Sequence, residues 1–293
     1  IPPTMLRNLR WLLTGMFLLP IFLIGQTPAP ASSVALYNQL KKLNFLGSAL
    51  YIAAHPDDEN TRLISYLSNH VHARTAYLSL TRGDGGQNLI GTELREFLGV
   101  LRTQELLAAR RVDGGQQFFT RANDFGYSKH PDETLRIWDR DAVLSDVVRI
   151  IRSYKPDVII NRFDHRTPGS THGHHTSSAI LSNEAFALAG RKDAYPEQLG
   201  ALDPWSPSRL FFNTSWWFYG SQENFQKADK SNLVPLDIGV YYPERGLSNN
   251  EIAATASSQH RCQGFGRLNV RGSNMEYIEL LEGTLPKTED VFE

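Results

Sequence analysis

Two short stretches of this sequence concentrate side chains able to hold a cation and move a proton. The first is Ala54-His55-Pro56-Asp57-Asp58-Glu59, one imidazole followed closely by three consecutive carboxylates. Such a group cannot gather at one point of a fold without mutual repulsion unless solvent or a cation offsets it. The second is Gly169-Ser170-Thr171-His172-Gly173-His174-His175, with three histidines in four residues, and imidazole nitrogen is a donor that zinc prefers. Two histidines and one carboxylate drawn from the pair of clusters would form the three-ligand set of a catalytic metal site, with a position left for water. Taken separately, each cluster has a plainer reading: solvent-exposed loop histidines, and carboxylates that cap or complement the dipole of the next helix.

Whether the clusters converge depends on the elements that carry them. From Ser33 onward, apolar strand-like runs alternate with amphipathic stretches, the pattern of an α/β sheet with helices on its faces. The pattern predicts a helix over 34–43, a buried parallel strand over 49–53, a helix over 59–68, a strand over 73–80 and a long helix over 93–111. The glycine-rich loop 81–86 between the last two lacks dinucleotide-binding spacing and reads as a tight turn. Beyond it come a short strand over 117–120, a helix over 141–154, a strand over 157–161 and helices over 176–188 and 251–260. Each cluster thus follows the carboxyl end of a strand, where open α/β sheets bind ligands. They would meet if strands 49–53 and 157–161 are near neighbours. Trp216-Trp217-Phe218-Tyr219, read as part of a strand, must point to both faces, which favours core packing over a sugar-stacking surface. From Gly264 the pattern is irregular.

Composition narrows the classes of function. Lys and Arg number 30 against 31 Asp and Glu, a net charge of -1, so nothing favours nucleic acid or an anionic membrane as partner. A small-molecule or glycan substrate fits better, and the oligomeric state stays open. The 293 residues divide into a leader over 1–31, a main domain over 32–270 and an irregular tail over 271–293 that is expected to lead into a further C-terminal region. The leader reads as a signal peptide: Arg7 and Arg10 precede an apolar run over 11–25, and small, turn-prone residues follow. The run is short of the roughly 20 residues that span a bilayer, so cleavage is preferred over anchoring. The expectation is an exported protein, periplasmic or secreted, that meets a membrane only through its N-terminal segment. The single cysteine, Cys262, excludes an intrachain disulfide and reads as a small buried residue rather than a nucleophile.

At the two clusters the sequence resembles the LmbE-like, or PIG-L, family of zinc-dependent N-acetyl-sugar deacetylases, whose signature is a strand followed by Ala-His-Pro-Asp-Asp-Glu. The match at Ala54 to Glu59 is complete. The family's second motif, roughly His-Pro-Asp-His, stands here as His172-Gly173-His174-His175, with the outer histidines kept and the inner pair replaced. The resemblance covers residues 48–188 well. It implies a three-layer α/β/α, Rossmann-like and mostly parallel sheet. It also implies one zinc ion per chain held by His55, Asp58 and His175, with Asp57 as general base and His172 assisting the tetrahedral intermediate. Arg102, in Arg102-Thr103-Gln104-Glu105-Leu106, resembles the family's R-x-x-E-L helix and is implied to contact substrate; the alternative is a helix-surface ion pair with Glu105. Because His174 removes a carboxylate from the motif, the protonation state of His172 is open. The implied activity is removal of the N-acetyl group from an N-acetylglucosamine-like sugar or glycoconjugate. Two other classes compete: a metal-dependent hydrolase of another amide or ester, and a non-catalytic carbohydrate-binding module. Asp57 argues against the second, since a binding module has no need of a base beside its ligands.

Overall fold

A computed structural model of the protein describes residues 32–266 and 270–293, and the expected leader over 1–31 lies outside them. The chain divides into an N-terminal unit ending at Gln39 and a large unit, Leu40–Glu293, with helix α1 (Ser33–Lys42) crossing the division. The sheet and the candidate site belong to the large unit. Its first half runs β1 (Ser48–Ala53), α2 (Thr61–Asn69), β2 (Arg74–Ser79), α3 (Glu96–Asp113), β3 (Gln116–Phe119), α4 (Pro131–Ile137), α5 (Arg140–Tyr154) and β4 (Val158–Asn161). Then follow α6 (Gly173–Ala189), β5 (Arg209–Thr214), α7 (Gln222–Lys227), β6 (Leu233–Asp237), the short pair β7 (Tyr241–Tyr242) and β8 (Leu247–Ser248), α8 (Asn249–Ser257) and β9 (Met275–Glu282).

The main sheet has the order β3-β2-β1-β4-β5-β9-β6. Its first five strands are mutually parallel, and β9 runs antiparallel to both β5 and β6. β1 is buried along its whole length, which is why it reads as an unbroken apolar run. Leu50 and Ile52 pack with Val143 and Val147 of α5 and Leu181 of α6. Ala49, Tyr51 and Ala53 pack instead with Leu63 and Leu67 of α2 and Leu106 of α3. Helices therefore cover both faces, giving the expected three layers, and each large aliphatic side chain buried this way contributes about 1.5–3 kcal/mol.

Three expectations are corrected. The acidic run does not cap the following helix: α2 begins at Thr61, and Oδ1 of Asn60 accepts from the amides of Arg62 and Leu63 at 3.2 and 3.3 Å. Trp216 to Tyr219 are not strand but a single tight turn after β5, leaving Trp216 and Trp217 48% and 57% exposed, while Phe218 packs against the core. The tail is not irregular: β9 is inserted between β5 and β6. Its sequence, MEYIELLE, sets glutamates between the apolar residues, and Glu276 and Glu279 are buried in ion pairs with Arg62 and Arg166. No helix among the described residues is long and apolar enough to cross a membrane.

Candidate metal centre

β1 and β4 are adjacent and parallel, with Ala49 opposite Val158 and Ile52 opposite Asn161. The two sequence clusters consequently leave the sheet side by side. On the β1 side the chain makes a turn in which the His55 amide donates to Oδ2 of Asp58 at 2.7 Å. The buried Tyr77 hydroxyl, from neighbouring β2, donates to the His55 carbonyl. On the β4 side the second cluster opens α6. His172 is the N-cap, its Nδ1 accepting from the His174 amide at 3.1 Å. Glycine is required at 173, because a Cβ there would lie 2.7 Å from Ser128 Oγ, Thr134 Oγ1 and the His130 carbonyl.

The imidazoles of His55 and His175 face opposite oxygens of one carboxylate: His55 Nδ1 lies 2.9 Å from Asp58 Oδ2, and His175 Nε2 lies 3.4 Å from Asp58 Oδ1. One ligand atom from each of the three residues lies within 4.8 Å of the others. Tetrahedral zinc with bonds of about 2.0–2.1 Å needs donors about 3.4 Å apart, and two imidazoles with one carboxylate is a donor set it accepts. The residues fit that ion. Burial opposes a charge on Asp58, but His175 and His55 outweigh it and hold the carboxyl well below its usual range, so it is ionised as a ligand must be. Burial likewise opposes a charge on His55, yet Asp58, Asp124 and Asp57 together raise its pKa. Phe163 stacks on the His175 ring at 3.9 Å and 3°, fixing its plane.

Asp57 accepts from Nη2 of Arg102, whose Nη1 donates to the Gly83 carbonyl at 3.2 Å. Arg102 is only 3% exposed, and it reaches Asp57 because the loop beside it is glycine: a side chain at Gly83 or Gly86 would run into its guanidinium. The helix-surface pair with Glu105 does not form. Glu105 instead accepts from the amide and thiol of Cys262. His172 is half-buried, and burial, followed by the nearby His55 and His175, lowers its pKa to about 4. It is therefore neutral at pH 7, and with Nδ1 used as an acceptor its proton sits on Nε2.

Several residues of the site carried no signal of their own in the sequence. Asp124 follows β3 and is 5% exposed, with its oxygens 3.9 Å from His55 Nε2 and 3.7 Å from His174 Nδ1. It also accepts from the Gly126 amide, a turn contact that is all its local sequence announces. Glu59 turns away from the metal residues into a buried cluster with His260 at 2.7 Å and Arg110 at 3.2 Å. A cleft of about 840 Å³ opens at the centre, its lining including Asp57, Asp58 and His175 together with Trp217, Phe218 and Phe265.

Residues 50–186 match PIG-L, described as GlcNAc-PI de-N-acetylase. Over 206 residues the chain is 25% identical to the mycothiol S-conjugate amidase of Streptomyces coelicolor, covering 66% of this chain and 67% of that protein. The fold is similar to that of N,N'-diacetylchitobiose deacetylase from Pyrococcus horikoshii, with a TM-score of 0.53 at 18% identity over 81% of this chain and 82% of the other. It is equally similar to a 4-carboxy-2-hydroxymuconate hydratase from Pseudomonas putida, with a TM-score of 0.54 at 14% identity over 83% and 99%. The last two likenesses establish the mostly parallel α/β fold. Since a deacetylase and a hydratase share it, the fold alone leaves the reaction undecided. Residues 50–186 thus match the PIG-L, or LmbE-like, family, and within them both signature clusters converge at the carboxyl ends of β1 and β4.

Proposed function

We propose that this protein is a zinc-dependent deacetylase that removes the N-acetyl group of an N-acetylglucosamine-like sugar or glycoconjugate, and that it works outside the cytoplasm. The observation that carries the reaction is the meeting of His55, Asp58 and His175 beside Asp57, whose carboxylate is ion-paired to Arg102 and opens on the cleft. The family description and the amidase relative both name enzymes that break an amide bond, which supports the same chemistry. The export reading rests on the apolar leader alone.

Zinc at this centre would polarise the acetyl carbonyl and bring the pKa of a bound water to about 7. Asp57, held in place by Arg102, takes the proton of the attacking water and is positioned to return it to the departing amine. His172 donates from Nε2 to the developing oxyanion as a neutral imidazole. Trp217 and Phe218 supply an apolar wall for a sugar ring.

Metal analysis and acetate release, measured on the wild type and on Asp57→Asn, test the reading. The variant is expected to keep one metal ion per chain and to lose activity by about 10²–10⁴-fold. Full activity in the variant would remove Asp57 from the mechanism. A wild type that releases acetate from no sugar but cleaves another amide would favour a broader amidase, the reading to which the 25% identity with mycothiol S-conjugate amidase points.

A further inference from the structure

Three arginines line the cleft: Arg62, Arg162 and Arg271. Two are already neutralised. Arg62 pairs with Glu276 at 3.0 Å, and Arg271 grips both oxygens of Glu251 at 2.8 and 2.9 Å. Arg162 differs from them, because among the described residues it forms no ion pair and its side-chain partner is the phenol of Tyr51. Tyr51 is fully buried in β1 and donates to Oδ1 of Asn213 at 2.9 Å, so it offers Arg162 an oxygen lone pair and nothing more. Burial raises the phenol's pKa, which keeps it neutral.

The backbone of Arg162 is fixed as firmly. Its amide donates to the Ile52 carbonyl at 2.9 Å, which holds it just past the carboxyl end of β4, at the same end of the sheet as both clusters. A guanidinium partly withdrawn from water without a counter-ion has lost hydration with little in return until an anion arrives. Its planar fork can engage two oxygens of one oxyanion. With a net charge of -1 on the whole chain, this attraction is local to the cleft.

We propose that Arg162 is a specificity-determining residue and that the acetylated substrate carries an oxyanion, a carboxylate, sulfate or phosphate, which docks on this guanidinium while the acetamide lies at the metal centre. The inference rests on the deacetylase reading above and names its substrate class. The neighbouring arginines, held by Glu276 and Glu251, leave this one as the cleft's anion receptor.

The test compares acetate release by the metal-loaded protein from matched sugars: N-acetylglucosamine, its 6-phosphate, its 6-sulfate, and the carboxylate-bearing N-acetylmuramic acid. At least one charged sugar is expected to exceed the neutral one in kcat/KM by about tenfold, Arg162→Met to lower that ratio about ten- to hundredfold, and Arg162→Lys to recover part of it. The identity of the favoured sugar separates the three anions. A ratio that Arg162→Met leaves unchanged overturns the proposal, and because it is a ratio, general loss of fold or metal does not imitate the expected result. If no sugar releases acetate, the deacetylase reading has failed instead. Calorimetric titration with inorganic phosphate and sulfate then decides the anion site by itself: binding lost in Arg162→Met supports it, and equal binding by both proteins overturns it.

Discussion

His174 marks the point at which the chain leaves its family's second motif, and its surroundings give the departure a use. Its Nδ1 lies 3.0 Å from His55 Nε2, and its ring is enclosed by Phe125 and Trp138. Burial, with His55, His172 and His175 adding to it, lowers its pKa to about 2. A neutral His174 can therefore accept the Nε2 proton of His55, which leaves His55 Nδ1, beside Asp58, with a lone pair for the proposed metal. Such outer partners typically matter about 10–100-fold in metal affinity, so His174→Phe, which keeps the ring and removes the acceptor, is expected to weaken zinc by that amount in competition with a chelator. Unchanged affinity would show that ring packing alone is what His174 supplies. Cys262 gives a second expectation at this scale. Burial raises its pKa to about 11, and its thiol contacts Glu105 Oε2 at 2.9 Å. Because only the thiolate attacks, a disulfide reagent is expected to label the folded protein far more slowly than the urea-unfolded chain.

The start of α8 shows how an element is tied to the cleft wall. Ser248 and Glu251 form a reciprocal capping box, and Arg271 pairs with the same glutamate. The hydrogen bonds from Arg271, then that from the Ser248 amide, lower the Glu251 pKa from the ordinary 4.5 to about 2. A carboxylate whose folded pKa is depressed stabilises above its ordinary value and loses that contribution as pH falls toward the folded one. Hydrogen exchange at the amides of 249–253 is thus expected to accelerate as pH drops from 4.5 toward about 2, after correction for intrinsic rates. In Glu251→Gln, exchange should already be faster at pH 7, with a smaller acid step. This capping box has a plain sequence signature, Ser-x-x-Glu before an apolar stretch. The N-cap of α2 is hidden in the sequence because three acidic residues, each of a type able to serve a helix start, stand directly before Asn60.

Across the whole molecule, a buried charge cluster joins the first motif to two distant segments. Arg110 of α3 pairs with Asp113 and with Glu59, and Glu59 pairs with His260, which follows α8. Arg110→Met would leave Glu59 and Asp113 buried without their shared cation, and removing one partner of such a group costs about 3–5 kcal/mol. The urea midpoint is expected to fall accordingly; a midpoint equal to that of the wild type would mean that water already reaches the cluster. The sequence by itself determined the alternation of strand and helix, the burial of β1 and the two clusters of donors, because periodicity and residue type are local properties. Only the tertiary structure decided that Asp57 meets Arg102, 45 positions away, that Glu59 meets His260, 201 positions away, and that β9 closes between β5 and β6. Those pairings depend on the route of the backbone, and a charged residue looks the same in sequence whether it faces water or a partner from a remote strand.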